Sequence, residues 1–218
     1  MPPDRKYEKY FQKQGFELIA GVDEVGVGPL AGPVLAAAVI LPSDQRIKGL
    51  NDSKKLSARQ RAGLFTLILK QARGIGVGIV DHRLIDRINI LKASHLAMRL
   101  AVEALKPAPD LLLIDGKYPL KKNLPQLALR GGDGRCSSIA AASIVAKVLR
   151  DRIMGEFDKH FPRYGFGQHK GYGTPAHLKR ILKYGPCPIH RRSYNPVQRS
   201  AESHKRLDIQ QLSLYNSN

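Results

Sequence analysis

The sequence predicts an α/β or α+β fold in which one domain is built from packed layers of sheet and helix. Short apolar runs typical of buried strands come early and consecutively, and then mix with helical segments. The 218 residues are enough to bury the core of a single domain. A hydrophobic content of 43% and a charged content of 25% are ordinary for a globular protein.

The first elements follow from apolar runs and turn residues. Glu17–Val22 and Val34–Leu41 have the pattern of strands, and the glycines and prolines between them favour a turn or bulge over a helix. Ser57 is a suitable N-cap for a helix that runs to about Ala72. The glycine-rich apolar run Gly74–Val80 predicts a third strand.

The middle of the chain alternates between helix and strand. An amphipathic segment predicts one long helix to about Leu105, ended by Pro107. Leu111–Ile114 is a short, fully apolar strand, and Gln126–Leu129 is a further short strand.

Two helices complete the predicted domain. Ser137–Arg152 is alanine-rich, with small residues suited to close packing and cations toward its end. Thr174–Lys183 begins with a threonine cap and a proline, and a glycine ends it. We expect residues 1–197 to form the domain and Gln198–Asn218 to be a polar tail, because composition turns polar and weakly patterned beyond about Val197.

The charge balance indicates a polyanionic partner. There are 36 Lys and Arg against 18 Asp and Glu, a net charge of +18, which favours nucleic acid or an anionic membrane surface. The longest apolar stretch is far shorter than the roughly 20 residues that span a bilayer, so we expect no membrane association. The N-terminal residues lack the apolar core of a secretory signal, and Cys136 and Cys187 cannot build a disulfide framework. We therefore expect a cytoplasmic protein with reduced cysteines.

Four of the few carboxylates sit beside glycines in three turns, and two of these turns close an apolar run. They are Asp23, Glu24, Asp115 and Asp133. A solvated turn explains any one of them, but adjacent anions near a buried strand repel and raise one another's pKa unless a cation lies between them. Oxygen ligands of this kind suit Mg²⁺, and four of them suit two metals about 3.5–4 Å apart, as in phosphodiester cleavage. The turns therefore predict a metal site.

Other motifs leave alternatives open. The glycines of GVGPLAG could form a nucleotide cradle, but a P-loop lysine is missing, and glycine backbone can equally approach a polynucleotide. Tyr172, beside Lys170 in HKGYGT, is either a structural residue or an aromatic face for stacking. The basic runs NDSKKLS and HRRSYNP are solvated surface or a phosphate track. No histidine is assigned to the metals; His95 fits a core or boundary position, and His177 and His190 are candidates for polar groups facing substrate.

Together, these residues resemble the bacterial ribonuclease HII family, the type 2 ribonucleases H. The resemblance runs in order from about Ile19 to Val197 and rests on six motifs: IAGVDEVGVGPLAGPV, DSKKLS, LLLIDG, GGDGRCSSIAAASIVAKVLRDR, YGF…HKGYGT and HRRSYNPV. It implies an RNase H-like fold, a mixed five-stranded sheet flanked by helices with a helical C-terminal extension. It also implies endonucleolytic cleavage of RNA in RNA–DNA hybrids and of single ribonucleotides in duplex DNA, leaving 5′-phosphate and 3′-hydroxyl ends.

The resemblance also implies roles for individual residues. Asp23, Glu24, Asp115 and Asp133 match the family's acidic tetrad, with Mn²⁺ or Mg²⁺ as cofactor. The remaining matches concern substrate: Tyr172 would stack on the deoxyribose after the ribonucleotide, and the backbones of Gly26 and Gly28 would read the 2′-hydroxyl.

One departure from the family pattern lies between those glycines. Val27 stands where the family usually has arginine. A charge-assisted phosphate contact of about 1.5–3 kcal/mol would be lost, so we expect weaker substrate binding or compensation by Lys54 or Lys55.

Two rivals remain. A non-catalytic basic nucleic-acid-binding protein would suit the charge, and a relative impaired through Val27 would keep the fold and binding. We expect a monomer that acts on RNA–DNA hybrids and ribonucleotide-containing duplexes, and whose tail is a candidate site for a replication or repair partner.

Overall fold

A computed structural model describes residues 2–43 and 47–204. Within these residues a five-stranded sheet has the order β3-β2-β1-β4-β5. Its strands are β1 (Ile19–Val25), β2 (Val34–Ile40), β3 (Gly74–Val80), β4 (Leu111–Asp115) and β5 (Gln126–Leu129). Strands β1, β2 and β3 pair antiparallel, whereas β4 pairs parallel to both β1 and β5. The predicted mixed sheet is confirmed.

Helices come before, between and after the strands in the chain. They are α1 (Lys6–Gln12), α2 (Ala58–Gln71), α3 (His82–Ile88), α4 (Ile90–Glu103), α5 (Ser137–His160), α6 (Phe166–His169), α7 (Pro175–Tyr184) and α8, residues 195–204. The predicted caps are confirmed: Ser57 forms a capping box with Gln60, and Thr174 accepts a hydrogen bond from the His177 amide. Among the described helices, none is long and apolar enough to cross a membrane.

The single long helix predicted before Leu105 is wrong. The chain forms α3 and then α4, because Asn89 between them adopts a left-handed φ of 67° that no helix tolerates. Asp81 caps α3 by accepting a hydrogen bond from the Leu84 amide at 2.8 Å. Helices α1 and α6 were not predicted, since four to seven residues contain too few apolar repeats to reveal a helix.

The chain divides into two compact units. The first contains the sheet and comprises Met1–Val27, Val34–Val80 and Ile90–Arg150. The second comprises Gly28–Pro33, Asp81–Asn89 and Asp151–Asn218, with one core around Met154 and Phe166 and another around Leu30, Ile181 and Val197.

The predicted boundary near Val197 falls inside α8. Val197 is buried, and the Ser200 hydroxyl donates a hydrogen bond to the Ile181 carbonyl at 2.8 Å. The start of the predicted tail is therefore part of the second unit. Residues 205–218, the rest of that tail, lie outside the described residues.

Helix α4 packs unusually close to β3. A Cβ atom at Gly78 would lie 2.0 Å from the Ala97 carbonyl oxygen, and Gly76 meets Ala101 in the same way. Gly78→Val should therefore destabilise the protein by more than about 3 kcal/mol, because backbone of both elements would have to move apart. Urea unfolding of the two proteins measures this difference.

Gly63 in α2 provides the matched control. A Cβ atom there would contact nothing within 4 Å. Gly63→Ala should raise the free energy of unfolding by about 0.5–1 kcal/mol through helix propensity. Equal stability of Gly78→Val and the unchanged protein would show that the α4–β3 contact is looser than described.

Candidate metal centre

The carboxylates converge because of strand pairing. Asp23 and Glu24 lie near the carboxyl end of β1, and Asp115 ends β4. These strands run parallel, with Val22 opposite Ile114, so their ends meet at one edge of the sheet. One oxygen from each of the three carboxylates lies within 4.8 Å of the others. The predicted acid turns thus form one cluster.

Backbone and hydroxyl donors hold these carboxylates in place. The Glu24 amide donates a hydrogen bond to Asp23 Oδ1 at 2.7 Å, and the Gly132 amide donates to Asp115 Oδ1 at 2.6 Å. Asp23 also interacts with the side chain of Ser143 through a hydrogen bond. These donors fix the orientation of the carboxylate oxygens.

Asp133 lies outside the group of three. It is buried in a 3₁₀ turn, Gly132–Gly134, and Lys54 Nζ lies 3.4 Å from its Oδ2. The sequence predicts all four acids in one metal site; in the structure the fourth lies against Lys54, and the charge of Asp133, together with burial, still contributes to raising the pKa of Asp23, Glu24 and Asp115. That lysine side chain is 79% exposed.

Buried groups behind the cluster were missed at the level of sequence. Ser53 Oγ lies 2.9 Å from Ser143 Oγ, which links the DSKKLS turn to the hydroxyl that contacts Asp23. Glu8 of α1 accepts a hydrogen bond from the Ser138 amide at 2.8 Å and so caps α5. Ser53 stands within a quoted motif, but only the fold reveals its partner; nothing in the local pattern marks Glu8.

The cluster is electrostatically strained. Burial, then the charges of Glu24 and Asp115, raise the pKa of Asp23 well above its usual range. Burial and the Asp115 charge likewise raise the pKa of Glu24 to about 7. Burial also raises the pKa of Asp115, partly offset by the Gly132 amide. Each anion is costly here without a neighbouring cation.

The donor set fits a hard divalent cation. Glu24 Oε2 is buried and has no hydrogen-bond partner among the residues that the structure describes. Such an orphaned oxygen is expensive unless it binds something. Carboxylate oxygens are the preferred ligands of Mg²⁺ and Mn²⁺. Asp23, Glu24 and Asp115 are therefore the residues able to hold the ion.

The cluster is open to a cavity in the first unit. This cavity of about 280 Å³ is lined by Glu24 and Asp115 together with Val27, His95 and Tyr118. Val27 is 39% exposed, and His95 is half-buried, as expected of a boundary residue.

Three further predicted substrate residues also belong to the first unit. Gly26 has a left-handed φ of 96°, and both Lys54 and Lys55 are exposed. Val27, which stands where the family usually has arginine, contributes no positive charge to this group of residues.

The other predicted substrate residues lie in the second unit. A Cβ atom at Gly28 would sit 3.8 Å from the Tyr172 ring, which is 39% exposed. Lys170 is half-buried, and its Nζ donates a hydrogen bond to the Gly167 carbonyl at 2.6 Å. That contact ties its ammonium group to the protein and weakens the prediction that it binds phosphate.

The HRRSYNP run is partly enclosed: Arg192 is exposed, whereas the first two residues of the run are not. His190 and Arg191 are fully buried, and Arg191 donates hydrogen bonds to the Gly32 carbonyl and the Tyr194 hydroxyl. His177 is also fully buried, so the interpretation of His177 and His190 as groups facing substrate is wrong. Sequence shows that these residues are polar but does not show that they are enclosed.

Comparisons with known proteins show the family to which the sequence is similar. The sequence profile of the family described as ribonuclease HII matches residues 20–197. The ribonuclease HII of Acetivibrio thermocellus is 58% identical over 188 residues, covering 86% of this chain and 73% of the relative. That of Geobacter metallireducens is 55% identical, covering 88% of this chain and 90% of the relative.

Solved structures show the same fold. The ribonuclease H2 of Pyrococcus horikoshii OT3 aligns with a TM-score of 0.72 and 26% identity, covering 86% of this chain and 98% of its own. Bst-RNase HIII in complex with Mn²⁺ aligns with a TM-score of 0.67 and 20% identity, covering 89% of this chain and 72% of its own.

Proposed function

This chain belongs to the ribonuclease HII family and is a metal-dependent endoribonuclease of the RNase H type, and from that premise we propose its substrate and products. It cleaves RNA in RNA–DNA hybrids and cuts on the 5′ side of single ribonucleotides embedded in duplex DNA. The products carry 5′-phosphate and 3′-hydroxyl ends.

The carboxylate cluster carries this proposal. Oxygens of Asp23, Glu24 and Asp115 lie within 4.8 Å of one another in a chain of net charge +18. A polyanion is attracted to the protein as a whole, while the buried acids provide a local site whose ionised form a divalent cation stabilises.

Mn²⁺ or Mg²⁺ is the proposed cofactor, held by Asp23, Glu24 and Asp115, with Asp133 as a ligand when substrate is present. Such a cation, once bound, lowers the pKa of a water molecule and polarises the phosphate. The protein's own part is to hold the acids still through Ser143 and the Gly132 amide.

Lys54 has a proposed role on the substrate side. It lies against Asp133 yet keeps most of its side chain in solvent. An incoming phosphate would compete with Asp133 for this ammonium group and so leave that carboxylate available to a cation.

Substrate recognition is proposed for backbone and aromatic groups. Gly26 and Gly28 would present backbone to the 2′-hydroxyl, the group that distinguishes RNA from DNA. The half-exposed Tyr172 ring would stack on the sugar that follows the ribonucleotide. Lys55 supplies an additional exposed cation, and Lys170 is retained as a weaker candidate.

The rival functions make different demands. A basic protein that only binds nucleic acid gains nothing from buried carboxylates, which weaken its attraction for phosphate. A relative impaired through Val27 would keep the cluster but bind substrate poorly.

Four labelled duplexes separate these possibilities when each is incubated with Mn²⁺. One contains a single ribonucleotide, one is an RNA–DNA hybrid, one is all DNA and one is all RNA. We expect cleavage of the first two, with a 5′-phosphate on the downstream fragment. Binding of all four without cleavage would favour the non-catalytic rival, and cleavage of the DNA duplex would overturn the proposed specificity.

Val27→Arg tests the departure from the family pattern. The added guanidinium should lower KM for the single-ribonucleotide duplex by roughly 10- to 100-fold at low salt, corresponding to one charge-assisted contact. Leu69→Arg, at an exposed position on α2, adds the same charge elsewhere and is the control. Unchanged KM and junction preference in Val27→Arg would show that valine at this position does not weaken substrate binding.

We further propose a monomer that works in the cytoplasm. An RNase HII of Archaeoglobus fulgidus has been solved as a complex with PCNA; it is 24% identical to this chain with a TM-score of 0.69. A replication or repair partner for residues 198–218 stays a proposal, since most of that segment lies outside the described residues.

A further inference from the structure

A chain of buried histidines lies beneath the loop that carries Tyr172. His177 and His190 are fully buried, and their Nε2 atoms are 3.0 Å apart. His177 Nδ1 lies 2.9 Å from the Tyr172 carbonyl oxygen, and the Cys187 amide donates a hydrogen bond to His190 Nδ1 at 3.0 Å. The four residues belong to the second unit.

These contacts determine the tautomer of each ring. The Tyr172 carbonyl can only accept, so neutral His177 must carry its proton on Nδ1 and offer Nε2 as an acceptor to His190. His190 Nδ1 then accepts from the Cys187 amide, although the Cys187 carbonyl oxygen and Sγ lie 3.3 and 3.1 Å from the same nitrogen, and the His190 proton lies on Nε2. The hydrogen bonds therefore all point the same way, from the Cys187 amide through His190 and His177 to the Tyr172 carbonyl, and both rings are neutral.

A third histidine holds the other side of the loop. His169 stacks on His177 with ring centroids 4.2 Å apart. Its Nδ1 accepts a hydrogen bond from the Gly171 amide at 3.2 Å, and its carbonyl accepts one from the Tyr172 amide at 2.9 Å. Both peptide groups of Tyr172 thus have histidine partners, the half-buried His169 and the fully buried His177, while the Tyr172 ring remains partly exposed.

We propose that His177 and His190 are positioning residues for the Tyr172 ring. The inference rests on the proposed function, in which that ring stacks on the substrate sugar. A ring that is already oriented loses less conformational freedom on binding, so preorganisation contributes to affinity. Burying two imidazoles costs free energy unless each ring nitrogen has a hydrogen-bond partner. Here those hydrogen bonds connect the two rings to the Tyr172 backbone.

The charge state agrees with this arrangement. Burial, with the nearby Tyr172 carbonyl opposing it, lowers the pKa of His177 to about 4, and burial followed by the His177 ring lowers that of His190 to about 3. His177 and His190 thus both remain neutral at the pH at which the enzyme would work.

Three variants and their steady-state kinetics test the proposal. His177→Leu removes the side-chain donor to the Tyr172 carbonyl and leaves the Thr174 amide as a second donor, whereas His177→Asn retains a side-chain donor near the Nδ1 position. With the single-ribonucleotide duplex and Mn²⁺, we expect His177→Leu to raise KM about 10-fold, close to Tyr172→Ala, with kcat little changed. His177→Asn should recover most of that loss, and His177→Leu combined with Tyr172→Ala should be no worse than Tyr172→Ala alone.

Ser200→Ala is the structural control. It removes a different buried hydrogen bond of the second unit, to Ile181, and should lower stability without raising KM. If His177→Leu fails to fold, His190→Asn carries the test, since asparagine keeps an acceptor for Cys187 but loses the donor to His177; its KM should rise likewise.

The possible failures are distinguishable. If Tyr172→Ala raises KM but His177→Leu and His190→Asn do not, or if the effects of His177→Leu and Tyr172→Ala simply add, the positioning role is overturned while the proposed function stands. If Tyr172→Ala leaves KM unchanged, the stacking contact of the proposed function fails, and this inference fails with it.

Discussion

Asp23→Asn should lower kcat by on the order of 1,000-fold and leave binding of an RNA–DNA hybrid largely intact. Asp23 is the most buried of the three clustered acids and neighbours both others. Asparagine keeps the shape of the side chain but removes the negative charge that a cation needs. Single-turnover cleavage and a fluorescence binding titration measure the two quantities separately.

Asp81→Asn is the matched control for this experiment. Asp81 caps α3, and asparagine caps helices about as well as aspartate. The same change of charge should therefore leave turnover unaffected at this position. Near-normal turnover in Asp23→Asn would contradict the proposed metal site.

The stability of the metal-free protein should fall as pH rises from about 4.5 to about 7. Over that range Glu24 is protonated in the folded protein, where its pKa is about 7, but ionised in the unfolded chain, where it is near 4.5. The folded state therefore binds more protons, and the free energy of unfolding decreases with pH. The loss from Glu24 alone amounts to about 3 kcal/mol.

A divalent cation should reverse this loss. Mg²⁺ or Ca²⁺ binds the ionised acids of the folded state, so thermal unfolding followed with and without the ion should differ most at the alkaline end of the range. Glu24→Gln should flatten the pH dependence of the metal-free protein, because the amide does not titrate. A metal-free protein that becomes more stable across this range would show that the acids are already neutralised by protein groups.

Much of the sheet could be predicted because its signals are local. β3 and β5 agree with the sequence prediction at both ends, and the caps at Ser57 and Thr174 lie where their residue types indicate. The sequence also places Asp23 and Asp115 at the ends of two predicted strands. Because these strands pair in parallel, the two carboxylates meet at one edge of the sheet.

Other features depend on contacts between distant residues. Lys54 and Asp133 are 79 positions apart, and Ser53 and Ser143 are 90 apart. An alanine-rich helix does not show that one of its hydroxyls reaches a carboxylate. The burial of His190 depends on packing against Phe166 and His177, which the local sequence pattern does not reveal. Composition alone therefore suggests that His190 and Arg191 of the HRRSYNP run are surface residues, although both are buried.

The most direct test of the metal centre is a titration with Mn²⁺ followed by electron paramagnetic resonance of the free ion. We expect the unchanged protein to remove Mn²⁺ from solution, Asp23→Asn to bind it much more weakly, and Val27→Arg to bind it as the unchanged protein does. Equal binding of Mn²⁺ by the unchanged protein and Asp23→Asn would contradict the assignment of the clustered carboxylates as its ligands.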